Sequence, residues 1–173
     1  MTSVTIPRSV TYVGDYAFKY CSQLDSVVIL GSIDFVGLEV FSECRKLKSV
    51  ILPDSVTSIG YSAFHHCSAM TSINIPLSLT SIDDCAFLGS GLKSIDIPNT
   101  VVFIGIAAFE ESKELISATI PESLTSIEYS LFLDCNQLES ITIPSSVVSI
   151  GAYAFARCTA LTTVIIPKSV TFF

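Results

Sequence analysis

The chain has 173 residues, half of them hydrophobic and only 14% charged, so apolar material for a large core is plentiful. Its 16 acidic and 9 basic side chains give a formal charge of −7, and the bases are scattered apart from a knot at Arg45, Lys46 and Lys48. That balance excludes nucleic acid, which is held by clustered Lys and Arg, and no run approaches the roughly 18–20 continuous apolar residues of a membrane-crossing helix.

The first residues, Met1-Thr2-Ser3-Val4-Thr5-Ile6-Pro7, carry no charged segment followed by an apolar one, so no signal peptide is read in this chain. They are instead the first copy of a repeat. Pro7, Pro53, Pro76, Pro98, Pro121, Pro144 and Pro167 stand at spacings of 46, 23, 22, 23, 23 and 23, with Leu30 in the place skipped by the 46-residue gap. Phe18, Phe41, Phe64, Phe87, Phe109, Phe132 and Phe155 follow at 23, 23, 23, 22, 23 and 23. Both series shorten once, which places a one-residue deletion at residues 88–92. Residues 1–173 therefore read as one array of about seven and a half 23-residue units. It is uncapped at both ends, and is expected to be part of a longer chain.

Each unit is read in order. The alternation before the proline (Val27 and Ile29, Ile141 and Ile143) has period two and predicts a short strand with one buried face. Proline lacks an N–H and fits where that strand leaves its ladder. Apolar residues recur three and six places after the proline (Val56 and Ile59, Val147 and Ile150). Gly14, Gly37, Gly60, Gly105 and Gly151 come next and predict a turn with φ > 0, although Asp83 and Glu128 replace two of them. The Ala-Phe-x-x-Cys segment spans one helical or 3-10 turn, too short to stand alone.

The pattern Leu-x-Ser-Ile-x-Ile-Pro-x-Ser-Val-Thr-Ser-Ile-Gly-x-x-Ala-Phe-x-x-Cys resembles the BspA-like (treponemal-type) leucine-rich repeat over essentially the whole chain. The resemblance implies a leucine-rich-repeat solenoid: a right-handed coil with a parallel β-sheet on the concave side and short turns, 3-10 or helical, on the other. It implies a non-catalytic protein-interaction or adhesion module at the cell surface or outside the cell, with an unidentified protein ligand. The Asn ladder of commoner leucine-rich repeats is missing. Ser9, Ser32, Ser55, Ser78, Thr100, Ser123, Ser146 and Ser169 take the place two after the proline, where a hydroxyl ladder serves turn carbonyls and amides.

Candidates for chemistry are few. Cys21, Cys44, Cys67, Cys135 and Cys158 share one repeat position, with Ser90 and Ser112 in the other rungs, and read as buried free thiols rather than disulfides or zinc ligands. Cys85 stands outside the column. His65, His66 and Cys67 form the one cluster of metal-ligand types. Adjacent histidines tend to diverge, however, and no fourth ligand is near in sequence, so a polar loop is expected. The acid runs Asp83-Asp84 and Glu110-Glu111-Glu114 lack the ordered spacing of a calcium loop. No catalytic residue, cofactor or metal is expected.

Function is then left to outward-facing columns. The strand positions Val28, Lys48, Ile51, Asn74, Lys93, Asp96, Thr119 and Thr142 are the candidate protein-binding face, concave solenoid surfaces being the usual site. Tyr12, Tyr16, Phe35, Tyr61, Phe103, Tyr129 and Tyr153 form a second, aromatic strip. Apolar open ends make end-to-end stacking of copies an alternative role.

Overall fold

The structure, a computed structural model, describes residues 2–173. Every repeat forms one rung of a solenoid, and the predicted strands appear before the prolines. This first strand column holds β1 (Ser3–Ile6), β2 (Ser26–Ile29), β4 (Ser49–Ile51), β7 (Ser94–Ile95) and β9 (Ser117–Ala118). A second column, absent from the sequence reading, lies after the prolines: β3 (Phe35–Val36), β5 (Ser58–Ile59), β6 (Ser81–Ile82), β8 (Phe103–Ile104), β10 (Ser126–Ile127) and β11 (Ser149–Ile150). All pairings are parallel, in the orders β1-β2-β4, β7-β9, β3-β5-β6-β8 and β10-β11. The register is that of the repeat: Val27 pairs with Val4 and Val50, and Ile59 with Val36 and Ile82. Strands of two residues carry no alternation long enough to be recognised, which is why this second ladder escaped the periodicity argument.

The third flank corrects two expectations. No helical or 3-10 turn forms among the described residues; the Ala-Phe-x-x-Cys segment is a run of β-turns. In the rung of Phe64, the amides of Ala63, His65 and Cys67 donate to the carbonyls of Gly60, Ser62 and Phe64. The alternate amides, Ser62, Phe64 and His66, donate instead to Asp84, Ala86 and Leu88 of the next rung, at 2.7–3.0 Å. Such alternation requires a left-handed residue on each side of the phenylalanine. Positive φ accordingly falls on Ser62 and His66, Glu39 and Glu43, Tyr16 and Tyr20, and their equivalents along the array.

The glycines before this flank do not have positive φ; among glycines only Gly89 does. At Gly60, Gly105 and Gly151 the role is close approach to the neighbouring backbone, whereas a Cβ at Gly14 would meet only ordinary contact. A Cβ at Gly60 would lie 2.9 Å from the Val36 carbonyl oxygen, and one at Gly151 would lie 2.6 Å from the Tyr129 nitrogen. The deletion is absorbed in the same way, because a Cβ on Gly91 would lie 2.2 Å from the Ser68 carbonyl oxygen.

The core runs along the axis as stacked columns. Phe18 through Phe155 form an unbroken stack with ring centroids 5.3–5.8 Å apart, and Phe41, Phe64, Phe87, Phe109 and Phe132 are fully buried. The cysteine column does more than fill space. Each thiol of Cys44, Cys67, Cys135 and Cys158 donates to the phenylalanine carbonyl of the preceding rung at 3.1–3.2 Å. In the two rungs with serine at this position, Ser112 donates likewise to the Phe87 carbonyl and pairs with Ser90 at 2.9 Å. The proline-following hydroxyls also act rung to rung: Ser55, Ser78 and Ser169 donate to the carbonyls of Ile33, Val56 and Val147.

All six cysteines are unpaired. Burial, foremost, pushes the Cys44 thiol up to about 12 and the Cys158 thiol up to about 11, and raises Cys67 well above its ordinary value. A thiol raised on folding keeps its proton where the unfolded chain has lost it. Its contribution is whole below the ordinary thiol pKa and is lost as pH climbs from there through the folded values. The urea midpoint should therefore lose this thiol contribution between pH 9.0 and about 12. Cys44→Ser, which retains a donor for the Phe18 carbonyl, should make that loss smaller.

Candidate functional site

The outward face of the first strand column is set by pairing register. Thr5, Val28 and Ile51 are successive partners, so their side chains line up one rung apart on the side opposite Val27 and Val50. Val28 is half-buried, Ile51 beside it is 54% exposed, and Ile165 at the far end of the same column is 84% exposed. Lys48 is exposed and pairs with Asp25 at 2.6 Å. Lys93 and Asp96 are exposed. Thr119 and Thr142, with Ser117, Ser140 and Glu122, line a shallow recess of about 260 Å³.

Two of these residues have structural duties that the sequence did not reveal. No strand forms at residues 72–76, between β4 and β7. There the Asn74 side chain replaces the missing ladder: its Oδ1 accepts from the Leu52 amide and its Nδ2 donates to the Leu52 carbonyl, both at 2.9 Å. Thr119 Oγ1 similarly accepts from the Ile97 amide at 2.8 Å. The repeat alignment does mark both positions as the outward strand place, but not that a polar side chain there can reach back one rung.

The aromatic strip divides into separate columns. Tyr12, Phe35 and Phe103 stand on the outward face of the second strand column, Tyr12 and Phe35 in edge contact at 5.6 Å. Tyr129 and Tyr153 meet edge to face at 5.5 Å on the turn flank. All are 41–60% exposed.

The histidines do not diverge. His66 has φ +53°, which turns its side chain toward that of His65, and the two ring centroids lie 4.1 Å apart. Glu43 joins them from the preceding rung, and one ligand atom from each of the three residues lies within 4.8 Å of the others. Cys67 is not a member; it is buried in the thiol column and bonded to the Phe41 carbonyl. Burial, and next the charge of His66, lowers the pKa of His65. Asp83 and Glu110 are raised, first by burial and then by Asp84 and Glu111 beside them. Asp84 is itself structural, accepting from the Ile106 amide at 2.7 Å. Neither imidazole is hydrogen-bonded to a serine or cysteine among the described residues, so no nucleophile–base pair is assembled.

Stacked parallel strands, an axial phenylalanine column and a turn flank together define a leucine-rich-repeat solenoid. The chain belongs to the BspA type leucine rich repeat region family, whose profile matches residues 1–115 and 57–173 in 6 copies. A leucine-rich repeat protein from Bacteroides ovatus ATCC 8483 is 35% identical with a TM-score of 0.94, over 98% of this chain and 46% of that one. The present chain thus spans less than half of that protein. The T. pallidum leucine rich repeat protein is 30% identical with a TM-score of 0.87, over 92% of this chain and 78% of that one. A leucine rich cell surface protein from Faecalibacterium prausnitzii A2-165, 22% identical with a TM-score of 0.50 over 99% of this chain and 74% of that one, shares the fold alone. Proteins of curated function give no match. No helix among the described residues is long and apolar enough to cross a membrane.

The division between structural and available side chains is measurable. Asn74→Ala strands the amide and carbonyl of Leu52 and should cost about 1–3 kcal/mol in urea unfolding. Asp96→Ala, on the same face, should change stability by no more than about 0.5 kcal/mol.

Proposed function

We propose that this chain is a non-catalytic protein-interaction or adhesion module of a surface protein, and that it binds through the outward face of the first strand column. The observation that carries the reading is the makeup of that face. Ile51 presents an exposed apolar surface beside the half-buried Val28, with the Lys48–Asp25 pair next to it and exposed Lys93 and Asp96 two rungs further along. An apolar centre with a charged rim is the makeup of a protein-binding patch, and parallel strand pairing holds it on a rigid backbone. Such a patch loses no loop entropy on binding. The surface or extracellular location is part of this proposal and rests on the resemblance to the family alone.

Binding to an immobilised panel of extracellular-matrix and cell-surface proteins tests this. Ile51→Asp should weaken the captured interaction by about 30-fold, the size of a buried anchor loss, while Tyr129→Ala on the turn flank leaves it unchanged. Equal binding by wild type and Ile51→Asp would remove this face from consideration.

A further inference from the structure

The two histidines and Glu43 sit where the repeat would otherwise place unrelated turn residues. Their position follows from register. The place two after the phenylalanine is Tyr20, Glu43, His66, Gly89, Glu111, Asp134 and Arg157 in successive rungs, each with positive φ. Glu43 and His66 are therefore neighbours one rung apart, and the Glu43 amide donates to the His65 carbonyl at 2.8 Å, tying the third residue to the first. Gly89 makes room on the far side: a Cβ there would lie 2.2 Å from His66 Nδ1. Arg45 Nε donates to Glu43 Oε2 at 2.8 Å, which orients the carboxylate and leaves its other oxygen free. Neither imidazole has a hydrogen-bond partner among the described residues. Ser42, the register-mate of His65, carries a buried hydroxyl that also lacks one.

Polar atoms converging in this way, from residues fixed by backbone bonds, want a common partner. Two imidazoles and a carboxylate are a ligand set suited to zinc and its first-row neighbours rather than to calcium or magnesium, which prefer all-oxygen shells. A tetrahedral zinc with bonds of about 2.0–2.1 Å needs its ligand atoms about 3.3 Å apart. One ligand atom from each residue lies within 4.8 Å of the others, so coordination requires these side chains to draw together toward that spacing. We propose that Glu43, His65 and His66 form a binding site for a divalent transition ion of the zinc type, with water in the remaining coordination position. Because the three ligands come from two adjacent rungs, the ion would also clamp those rungs together.

Titration calorimetry of the whole chain with zinc chloride, in a buffer that does not coordinate metals, tests this directly. One ion should bind per chain, and His65→Gln, His66→Asn and Glu43→Gln should each weaken binding at least roughly 10-fold, the lower bound even for a supporting residue of a metal site. Asparagine is chosen at position 66 because it tolerates positive φ. Urea midpoints without metal verify that each variant folds, and zinc should raise the midpoint of the wild type but not of the variants. Cobalt(II) provides the independent readout, since bound at this site it shows d–d bands without thiolate charge transfer. Unchanged zinc affinity in the His65→Gln/His66→Asn double variant overturns the proposal. So does thiolate charge transfer that disappears in Cys21→Ser/Cys85→Ser, which would assign the ion to the partly exposed cysteines.

Discussion

Everything in this molecule depends on holding each rung one strand spacing, about 4.8 Å, from the next along its whole perimeter. The phenylalanine column shows how the core meets that spacing. Rings 5.3–5.8 Å apart and within 11° of parallel keep the inter-rung distance while remaining in contact, which requires an offset stack. The remaining devices need the same spacing. A thiol reaches a carbonyl 26 residues back only if the rungs stay in register, and a hydroxyl reaches one 22 residues back on the same condition. Gly60 and Gly151 lack a side chain because neighbouring backbones pass where a Cβ would be. A rung displaced by even one residue would lose all of these at once.

That constraint explains why the turn flank tolerates so many left-handed residues. Tyr16, Glu39, Ala107 and Glu111 have positive φ although none is favoured there, at a local cost on the order of 1 kcal/mol each. The return lies between rungs: at Phe64 and at each left-handed residue beside it, an amide reaches the next rung's carbonyl. An isolated rung has no such carbonyl to reach, so the conformation is unfavourable alone and favourable in the stack. Cooperativity between neighbours, the general property of solenoids, thus has a specific origin here in backbone strain that only a neighbour relieves.

The same distinction separates what was legible in the sequence from what was not. Pro7 to Pro167 and Phe18 to Phe155 gave the unit, its register and its deletion, because apolar burial and the proline ring act through residue identity. The column of Cys44 and Cys67 was recognised as core for the same reason, though not as a ladder of donors. Left-handed backbone at Tyr20 or Glu43 was invisible, since it is imposed by inter-rung bonds and any residue type is accepted. The glycines misled for the complementary reason: Gly105 is demanded by space, not by φ. Asn74 was placed on the correct face, but its side chain substitutes for a strand that does not form, and only the partner rung reveals that. His65 and His66 were read as a local cluster with Cys67. Their third neighbour, Glu43, stands in the adjacent rung, beyond the reach of a search through contiguous residues.

Where such a molecule can carry function follows from which positions the stack leaves undetermined. Core columns are fixed by volume, Gly60, Gly105 and Gly151 by backbone proximity, and Ser55, Ser78 and Ser169 by carbonyls that need donors. Two sets remain. The outward strand positions vary freely except where a side chain is recruited to the backbone, as at Asn74 and Thr119. The left-handed positions beside each phenylalanine also vary freely, because their conformation is enforced by the neighbouring rung whatever side chain is attached. The first set makes a flat surface that another protein can cover. Along the second, residues about one repeat apart in sequence become neighbours in space, so a carboxylate in one rung and an imidazole in the next meet without any loop being built for them. A repeat array can acquire a small polar site by changing two or three side chains in one column, at no cost to its fold.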